Sequence, residues 1–543
     1  MTTSSASGKP RAPGKSTGTA SPAAGSRAGL GLRERISNAW NDVLSRPLAD
    51  YIMILFTVIL LSSLGVVMVY SSSMTWSLQE GGQVWSTAVR QAVMIVAGFA
   101  AMWVVLRLRP QTIRNLAPML LMVSIILLIA VQIPGIGTGR EEVGSQSWIA
   151  LGPIRFQPSE IAKVAIAVWG EHYLAGRGPT THWFNNHYSR FAAVGIGMGT
   201  LILLEGDAGM AMSFMVVVMF MLLFAGVALG WLVLAGVAVL AGLAVMALGG
   251  GFRSNRFSVY FDALFGNFHD TRGTAFQSYQ GFLSLADGSA LGVGLGQSRA
   301  KWFYLPEAKN DFIFAIIGEE LGLLGGAFVI GLFATLLYFG LRTARRSRDP
   351  FLGLMAATLT AAVVSQAFIN IGYVVGLLPV TGIQLPMISA GGTSAIITLA
   401  SMGLLANCAR HEPESVSAMA SYGRPVVDRL LLLPEPRSSV TTGNIRNRNQ
   451  GGKGDSGARS SGRRGVDARE RFGDPVTSRR STATGSRTDS SSTGSVRKRE
   501  GGSRTSRSST TDPRRRRDST RGGSGTGGNP RRDGSGRDSR YRR

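Results

Sequence analysis

Three carboxylates punctuate one apolar run. A polar stretch, Tyr304-Leu-Pro-Glu307-Ala-Lys309-Asn310, ends in Asp311, and Phe-Ile-Phe-Ala-Ile-Ile-Gly follows before Glu319 and Glu320. The pattern predicts a helix that starts at Asp311, where water meets an apolar phase, with Glu319 and Glu320 about 12–14 Å further along it. A carboxylate at such a helix mouth has two uses. It satisfies the free N–H groups and the dipole of the first turn, or it takes a proton from a reacting hydroxyl as a general base. Glu319 and Glu320 need partners or a polar cavity, because an ionised group at membrane depth costs at least about 2.5 kcal/mol without them.

Other constellations lie on either side. In Pro158-Ser-Glu160-Ile-Ala-Lys163 the proline suits a first helical position, and Glu160 and Lys163 share a helix face. They form either a local ion pair or the polar floor of a substrate cavity, with Lys163 facing an anion. Gly391-Gly392-Thr393-Ser394 is either a flexible helix cap or a set of backbone N–H groups offered to a phosphate. Gly292-Val-Gly-Leu-Gly296, followed by Gln-Ser-Arg299-Ala-Lys301, has the glycine spacing of a nucleotide loop but follows no strand. A nucleotide site is therefore excluded, and Arg299 and Lys301 either attract a lipid phosphate or are solvated. His182 and His187 have no cysteine beside them and make no metal motif. Glu205 and Asp207 read as an exposed turn, with a cavity-facing position as the second reading.

The elements that hold these residues follow from hydropathy. Hydrophobic residues make up 45% of the 543, concentrated between about 50 and 410 in runs of bilayer-crossing length. The expected fold is an all-α integral membrane protein of about ten transmembrane helices, near 50–71, 87–106, 115–133, 158–175, 190–204, 209–226, 230–250, 312–341, 352–375 and 392–409. The first is too long and too far from the start for a cleaved signal peptide. Residues 1–47 and 412–543 are low-complexity and basic, and read as disordered tails around a membrane domain at 48–411. Most of the net charge of +25 sits in the second tail. It describes the tail and not the fold, and no nucleic-acid partner is expected. Arg27, Arg33, Arg35 and Arg46 precede the first span, which makes that end cytoplasmic, and an even span count puts both termini there. Three loops then face outward: 134–157, a large one at 251–311, and 376–391, whose prolines and glycines suggest a re-entrant segment lining a cavity. The single cysteine, Cys408, excludes an intrachain disulfide. No internal repeat is evident, which weakens an inverted-repeat transporter reading.

In order along 50–410, these pieces resemble the SEDS family, the polytopic peptidoglycan glycosyltransferases typified by FtsW and RodA. The resemblance rests on Ser147-Trp148-Ile149, Gln157-Pro-Ser-Glu160-Ile-Ala-Lys163, Gly292-Val-Gly-Leu-Gly-Gln-Ser298, Tyr304-Leu-Pro-Glu307, Asp311-Phe-Ile-Phe, Ile369-Asn-Ile-Gly372, Gly376-Leu-Leu-Pro379, Leu385-Pro, Ile388-Ser389, Gly391-Gly392 and Ser394. Ile317-Gly-Glu-Glu-Leu-Gly322 and the long tails look more like the division branch than the elongation branch. Three positions depart from the family pattern: Lys309-Asn310 stand where His-Thr is usual, Ala390 where Tyr is usual, and Gly206 where Pro precedes Asp207.

The resemblance implies an enzyme that polymerises lipid II by β-1,4 bonds, inverting the donor carbon and releasing undecaprenyl diphosphate. It makes Asp311 the catalytic base. It implies substrate-binding roles for Glu160, Lys163, Arg299, Lys301, Glu307, Ser389, Gly391, Gly392 and Ser394, with a divalent metal (Mg or Mn) as a candidate at the diphosphate. Implied partners are a class B penicillin-binding transpeptidase and other division proteins at the septum of a bacterial plasma membrane. The basic tail, with Arg514-Arg-Arg-Arg517, suits anionic lipid or an acidic segment of the FtsZ cytoskeleton. A lipid II flippase and a non-catalytic division scaffold are the rival classes.

Overall fold

A computed structural model describes residues 32–79, 83–140, 144–152, 154–177, 186–237, 260, 276–302, 305 and 307–436. The chain divides after Asp455, and the second unit, Ser456–Arg543, lies outside the described residues, as does the basic run expected to meet lipid or FtsZ.

Helices dominate. They are α1 (Leu32–Ser45), α2 (Ala49–Gln79), α3 (Ser86–Arg107), α4 (Pro110–Ala130), α5 (Pro158–Leu174), α6 (His187–Leu204), α7 (Ala208–Phe224), α8 (Phe276–Gly288), α9 (Ile313–Arg346), α10 (Pro350–Val374), α11 (Thr393–Arg410), α12 (Pro413–Tyr422) and α13 (Val426–Leu430). The 134–157 connection folds into a small antiparallel sheet of β1 (Gly137–Thr138), β2 (Trp148–Leu151) and β3 (Ile154–Phe156), in that order. Local chemistry sets the helix starts. Proline opens α4, α5 and α10, where its missing N–H costs nothing. The side chains of Asn186, Asp207 and Asp349 accept from Tyr188, Met210 and Phe351 backbone N–H groups at the mouths of α6, α7 and α10.

Five helices are long and apolar enough to cross a bilayer: Ala49–Met74, Ser86–Arg107, Pro110–Ala130, Ile313–Arg346 and Pro350–Val374. Four more expected spans are the 17- or 18-residue helices α5, α6, α7 and α11. The seventh, near 230–250, passes outside the described residues after 237. Outward-facing side chains form apolar stripes, with Ile52, Phe56 and Ile59 on α2 and Met119, Met122 and Ile126 on α4 exposed. In a soluble protein such stripes would be a liability; against lipid they are the solvated face. By contrast, 72% of the apolar window of α10 is buried, against 28% for α3 and α4. The bundle is therefore built around α10.

The long helix α9 is broken. Gly322 has φ 68° and ψ −167° inside it, a backbone conformation that side chains other than glycine strongly resist. The break frees backbone groups, and the glycine-rich loop after α8 takes them up. Val293 and Gly294 N–H groups donate to the Glu319 and Glu320 carbonyls at 2.9 and 3.0 Å, and Leu323 N–H donates to Ser289 O at 2.9 Å. A Cβ on Gly292 would stand 2.2 Å from Glu320 O. The two carboxylates complete the joint. Glu319 accepts from Ser298 Oγ (2.7 Å) and Arg299 N–H (2.6 Å), and Glu320 accepts from Ser71 Oγ of α2 (2.6 Å) and Lys301 Nζ (3.5 Å). The partners that Glu319 and Glu320 require are thus the loop, α2 and Lys301.

Both expected tail boundaries need correction. Residues 32–45, placed in the N-terminal tail, form α1. The C-terminal tail does not begin at 412, because described structure continues to 436 and docks on the bundle. Asp428, fully buried, accepts from Arg410 Nε at 2.7 Å and from Tyr51 Oη at 2.8 Å. Trp103 Nε1 donates to Leu431 O at 2.8 Å. The segment looks like tail in composition, but one aspartate answers a buried arginine that no nearby residue satisfies. A chain ending at residue 412 leaves Arg410 buried without its counter-charge, a loss of about 3–5 kcal/mol. Its thermal unfolding in detergent is expected well below that of a chain ending at residue 436, which should match the full chain. Equal midpoints for all three would contradict the docking.

Candidate active site

The stretch from Val375 to Gly392 connects α10 to α11 without helix, yet Ile383, Leu385, Met387, Ile388 and Ser389 are buried. It dips to the middle of α2, where a Cβ on Gly65 would stand 2.5 Å from Met387 O and 2.8 Å from Ile388 Cα. This is the re-entrant segment expected from its prolines and glycines.

Side chains from neighbouring helices hold its backbone and the mouth of α9 together. Asn370 Nδ2 donates to Asp311 O (2.9 Å) and Ile383 O (2.7 Å), and Tyr373 Oη reaches the same two carbonyls at 3.0 and 2.6 Å. Ser389 Oγ accepts from Leu385 N–H at 2.8 Å and donates to Asn310 O at 2.7 Å. Gln91 Nε2 of α3 donates to Ser389 O at 3.1 Å, and Ala390 N–H to Lys309 O at 3.0 Å. Two departures from the family pattern, Lys309-Asn310 and Ala390, therefore touch each other. Asp311 itself is half-buried, and its Oδ2 lies 3.5 Å from the position a Cβ on Gly382 would take. Glu307 stays exposed; its carboxylate accepts from Asn310 Nδ2 and its carbonyl from Asn310 N–H, so it shapes the turn that presents Asp311.

A second polar group meets the segment from α5 and α7. Lys163 Nζ sits 3.0 Å from Glu160 Oε2 and donates to Gln366 Oε1 at 2.7 Å, and both charged residues are buried. Gln366 Nε2 in turn donates to Gln384 O at 3.1 Å. Gln157 Nε2 donates to Asp207 Oδ2 at 3.0 Å, and Gly209 lies against Thr381 O, next to Gly382. Asp207 and Asp311 thus both lie close to the 381–382 backbone. Burial raises the Asp207 carboxyl pKa, opposed by the Met210 N–H, Gln157 and Lys163. Glu205, expected in an exposed turn, is buried instead; burial, then the charge of Asp207, pushes its pKa up to about 9. The pair sits in a short turn that its composition marks as surface, and only the packing of 144–146 over Gly206 covers it: Gln146 N–H donates to Glu205 O at 2.8 Å.

The remaining candidates divide. Gly391, Gly392 and Ser394 open α11, where Gly392 has φ 47° and no side chain caps the helix. Thr393 Oγ1 donates to Arg155 O at 3.0 Å, which ties this mouth to β3. Lys301 is fully buried, with Nζ on Gly296 O and 3.5 Å from Glu320 Oε1. A buried ammonium needs a counter-charge, and this one is matched at the α9 break rather than beside Asp311. Arg299 is exposed on a groove with Asp287 and Trp302, apart from the Lys163 group. Among the described residues no three His, Cys, Asp or Glu side chains could hold a metal ion.

With this geometry in hand, the kinship is direct. The family described as "Cell cycle protein", which groups FtsW, RodA and SpoVE, matches residues 51–414. "Probable peptidoglycan glycosyltransferase FtsW" of Mycobacterium tuberculosis is 40% identical over 398 residues, covering 73% of this chain and 74% of the relative. "Stage V sporulation protein E" of Bacillus subtilis is 33% identical over 362 residues, 67% of this chain and 97% of the relative. Among solved structures, a chain of a peptidoglycan synthase complex that coordinates polymerization and crosslinking superposes with a TM-score of 0.53 at 24% identity, covering 66% of this chain and 97% of the other. Rod shape determining protein RodA of Thermus thermophilus gives 0.50 at 23%, covering 66% and 96%. At that identity the structures establish the fold. The chain is a multi-pass membrane protein of the SEDS family, on the FtsW side of it.

Two variants probe the geometry. Removing either charge of the Glu160–Lys163 pair leaves the other buried and unpaired, at about 3–5 kcal/mol. A Glu160→Gln/Lys163→Met double variant is expected to regain the unfolding temperature but not the activity; recovery of both would make the pair purely structural. Gly65→Ala places a methyl against the backbone of the re-entrant segment, where overpacking costs about 1–3 kcal/mol. It is expected to lower both unfolding temperature and turnover, whereas Gly197→Ala, which meets open space, should change neither. Identical behaviour of the two variants in a melting assay would refute the close approach.

Proposed function

We propose that this protein polymerises lipid II into glycan strands, with Asp311 as the general base. The observation that carries the reading is the position of Asp311. It stands at the mouth of α9, its main chain clamped by Asn370 and Tyr373 and its side chain beside Gly382, in a chain 40% identical to a probable peptidoglycan glycosyltransferase.

In the reaction, a sugar hydroxyl attacks the anomeric carbon of the donor from the face opposite the diphosphate. The new C–O bond forms as the C–O bond to phosphate breaks, and undecaprenyl diphosphate leaves with the electron pair. The configuration inverts. Diphosphate is a good leaving group, so the protein must chiefly remove the hydroxyl proton, and an Asp311 carboxylate within hydrogen-bond reach of that hydroxyl suffices. Lys163 supplies positive charge from the α5 side for the departing diphosphate, held there by Glu160 and Gln366. The backbone N–H groups at the glycine mouth of α11 offer a second anion contact. A divalent metal (Mg or Mn) bound by the diphosphate itself would add further positive charge there.

Charge supports one orientation. Arg107, Arg109 and Arg114 flank the α3–α4 connection, and Arg342, Arg345, Arg346 and Arg348 flank the α9–α10 connection. The positive-inside rule reads these ends as cytoplasmic, which favours an outward-facing Asp311, on the side where lipid-linked disaccharide is joined. The similarity to a chain from a complex coupling polymerization with crosslinking supports a penicillin-binding transpeptidase as partner, and the FtsW relatives support action at the division septum.

Asp311→Asn keeps the shape and removes the base. Purified variant is expected to fold as the parent does while its polymerisation of labelled lipid II falls about 10²- to 10⁴-fold. Turnover near that of the parent would overturn the assignment, and a parent protein yielding no polymer at all would overturn the reaction.

A further inference from the structure

A groove of about 520 Å³ opens between α8 and the loop that seals the α9 break. Gln280, Asp287, Arg299 and Glu319 give it polar lining, and Leu283, Ala300 and Trp302 apolar lining, with Ser284 between them on α8. Its volume falls within the range of small-ligand sites. Trp302 is 57% exposed and presents its indole to the groove rather than to a core. Ser284 Oγ is buried and has no hydrogen-bond partner among the described residues.

The lining chooses the occupant. A hydrocarbon chain would shut Gln280 and Asp287 away from water without replacing their hydrogen bonds. A diphosphate would find one guanidinium against two carboxylates, Asp287 and Glu319, and Glu319 is already engaged by Ser298 and by the backbone of Arg299. A neutral ligand with one apolar face and a rim of hydroxyl and amide groups meets every feature. The CH face of a pyranose lies on the indole, and its hydroxyls and acetamido group reach the guanidinium, the amide and the carboxylate.

We infer that this groove binds N-acetylated saccharide and holds the growing glycan strand as it leaves the active site. The inference rests on the polymerase reading for the identity of the strand. Glu319 lies in the second turn of α9, eight residues after Asp311, and its six-residue rise from Ile313 is about 9 Å. A polymer held there stays within a few sugar units of the base, so each new addition begins with the strand already bound.

The test uses the full chain in lipid nanodiscs and a β-1,4-linked N-acetylglucosamine tetrasaccharide, with calorimetry as the readout. Saturable binding is expected. Trp302→Ala should weaken it at least tenfold, Trp302→Tyr should restore most of it, and Asp311→Asn should bind as the parent does. In polymerisation assays Trp302→Ala should give shorter strands for the same amount of lipid II consumed. Arg299→Gln, an exposed change, provides a second comparison if Trp302→Ala does not fold. Absence of saturable binding, binding indifferent to Trp302 and Arg299, or quenching of Trp302 by brominated acyl chains that the tetrasaccharide does not relieve would each overturn the proposal. Because binding is read on a catalytically dead variant as well, loss of polymer in Asp311→Asn and loss of saccharide binding in Trp302→Ala report on different claims.

Discussion

Everything near Asp311 depends on keeping non-helical backbone satisfied inside an apolar bundle. At membrane depth an unpaired N–H or C=O costs several kcal/mol, and irregular chain survives there only where protein replaces water. The 375–392 segment meets that condition with side chains from two helices: Gln91 from α3, and Gln366, Asn370 and Tyr373 from α10, helped by its own Ser389. The same groups bond the carbonyls of Asn310 and Asp311. The Asp311 carboxylate is therefore positioned as a by-product of solving the backbone problem. Gly65 is part of the solution, since only a helix without a side chain there lets the segment approach so closely.

The break at Gly322 obeys the same constraint by other means. A bent α9 exposes carbonyls, and the glycine loop 292–296 supplies N–H groups to them as if adding a strand to the helix. What resembles a phosphate loop by spacing is thus a clasp, with Gly292 present because backbone meets backbone and Gly294 and Gly296 because their φ angles of 105° and 78° favour glycine. The Glu319 and Glu320 carboxylates lock the clasp through Ser298, Ser71 and Lys301. Asp311 and the saccharide groove stand at opposite ends of the nine-residue stretch, 311–319, that leads into this clasp.

Legibility in the sequence followed locality. Proline and aspartate at helix starts, the apolar runs and the Glu160–Lys163 spacing are written within a few residues of one another, and the helices lie where those signals put them. The need of Glu319 and Glu320 for partners could be argued from cost alone; the identity of the partners could not, because Ser71 is 249 residues away from Glu320. Asp428 was unreadable for the same reason: its meaning comes from Arg410 and Tyr51, and its own neighbourhood has the composition of a tail. Glu205 and Asp207 misled in the opposite direction. Their turn has surface composition, and only the fold of 144–146 over it makes it interior.

The buried ion pairs differ in what they join, and that difference bears on function. Arg410–Asp428 fastens the C-terminal segment, Lys301–Glu320 the clasp, and Arg342–Asp50 the start of α2 to the end of α9. Each links elements well separated in sequence, so each has a structural use. Glu160–Lys163 joins a helix to itself. A pair of that kind adds no tertiary connection, and apolar residues of similar size would often serve stability as well or better. Its retention beside Gln366 and the re-entrant segment, with Asp207 close enough for its carboxyl to respond to both charges, favours a role outside the folding balance. A cation held in place but not consumed by the fold is what a departing diphosphate needs, and the ammonium of Lys163 meets that description better than the clasped ammonium of Lys301.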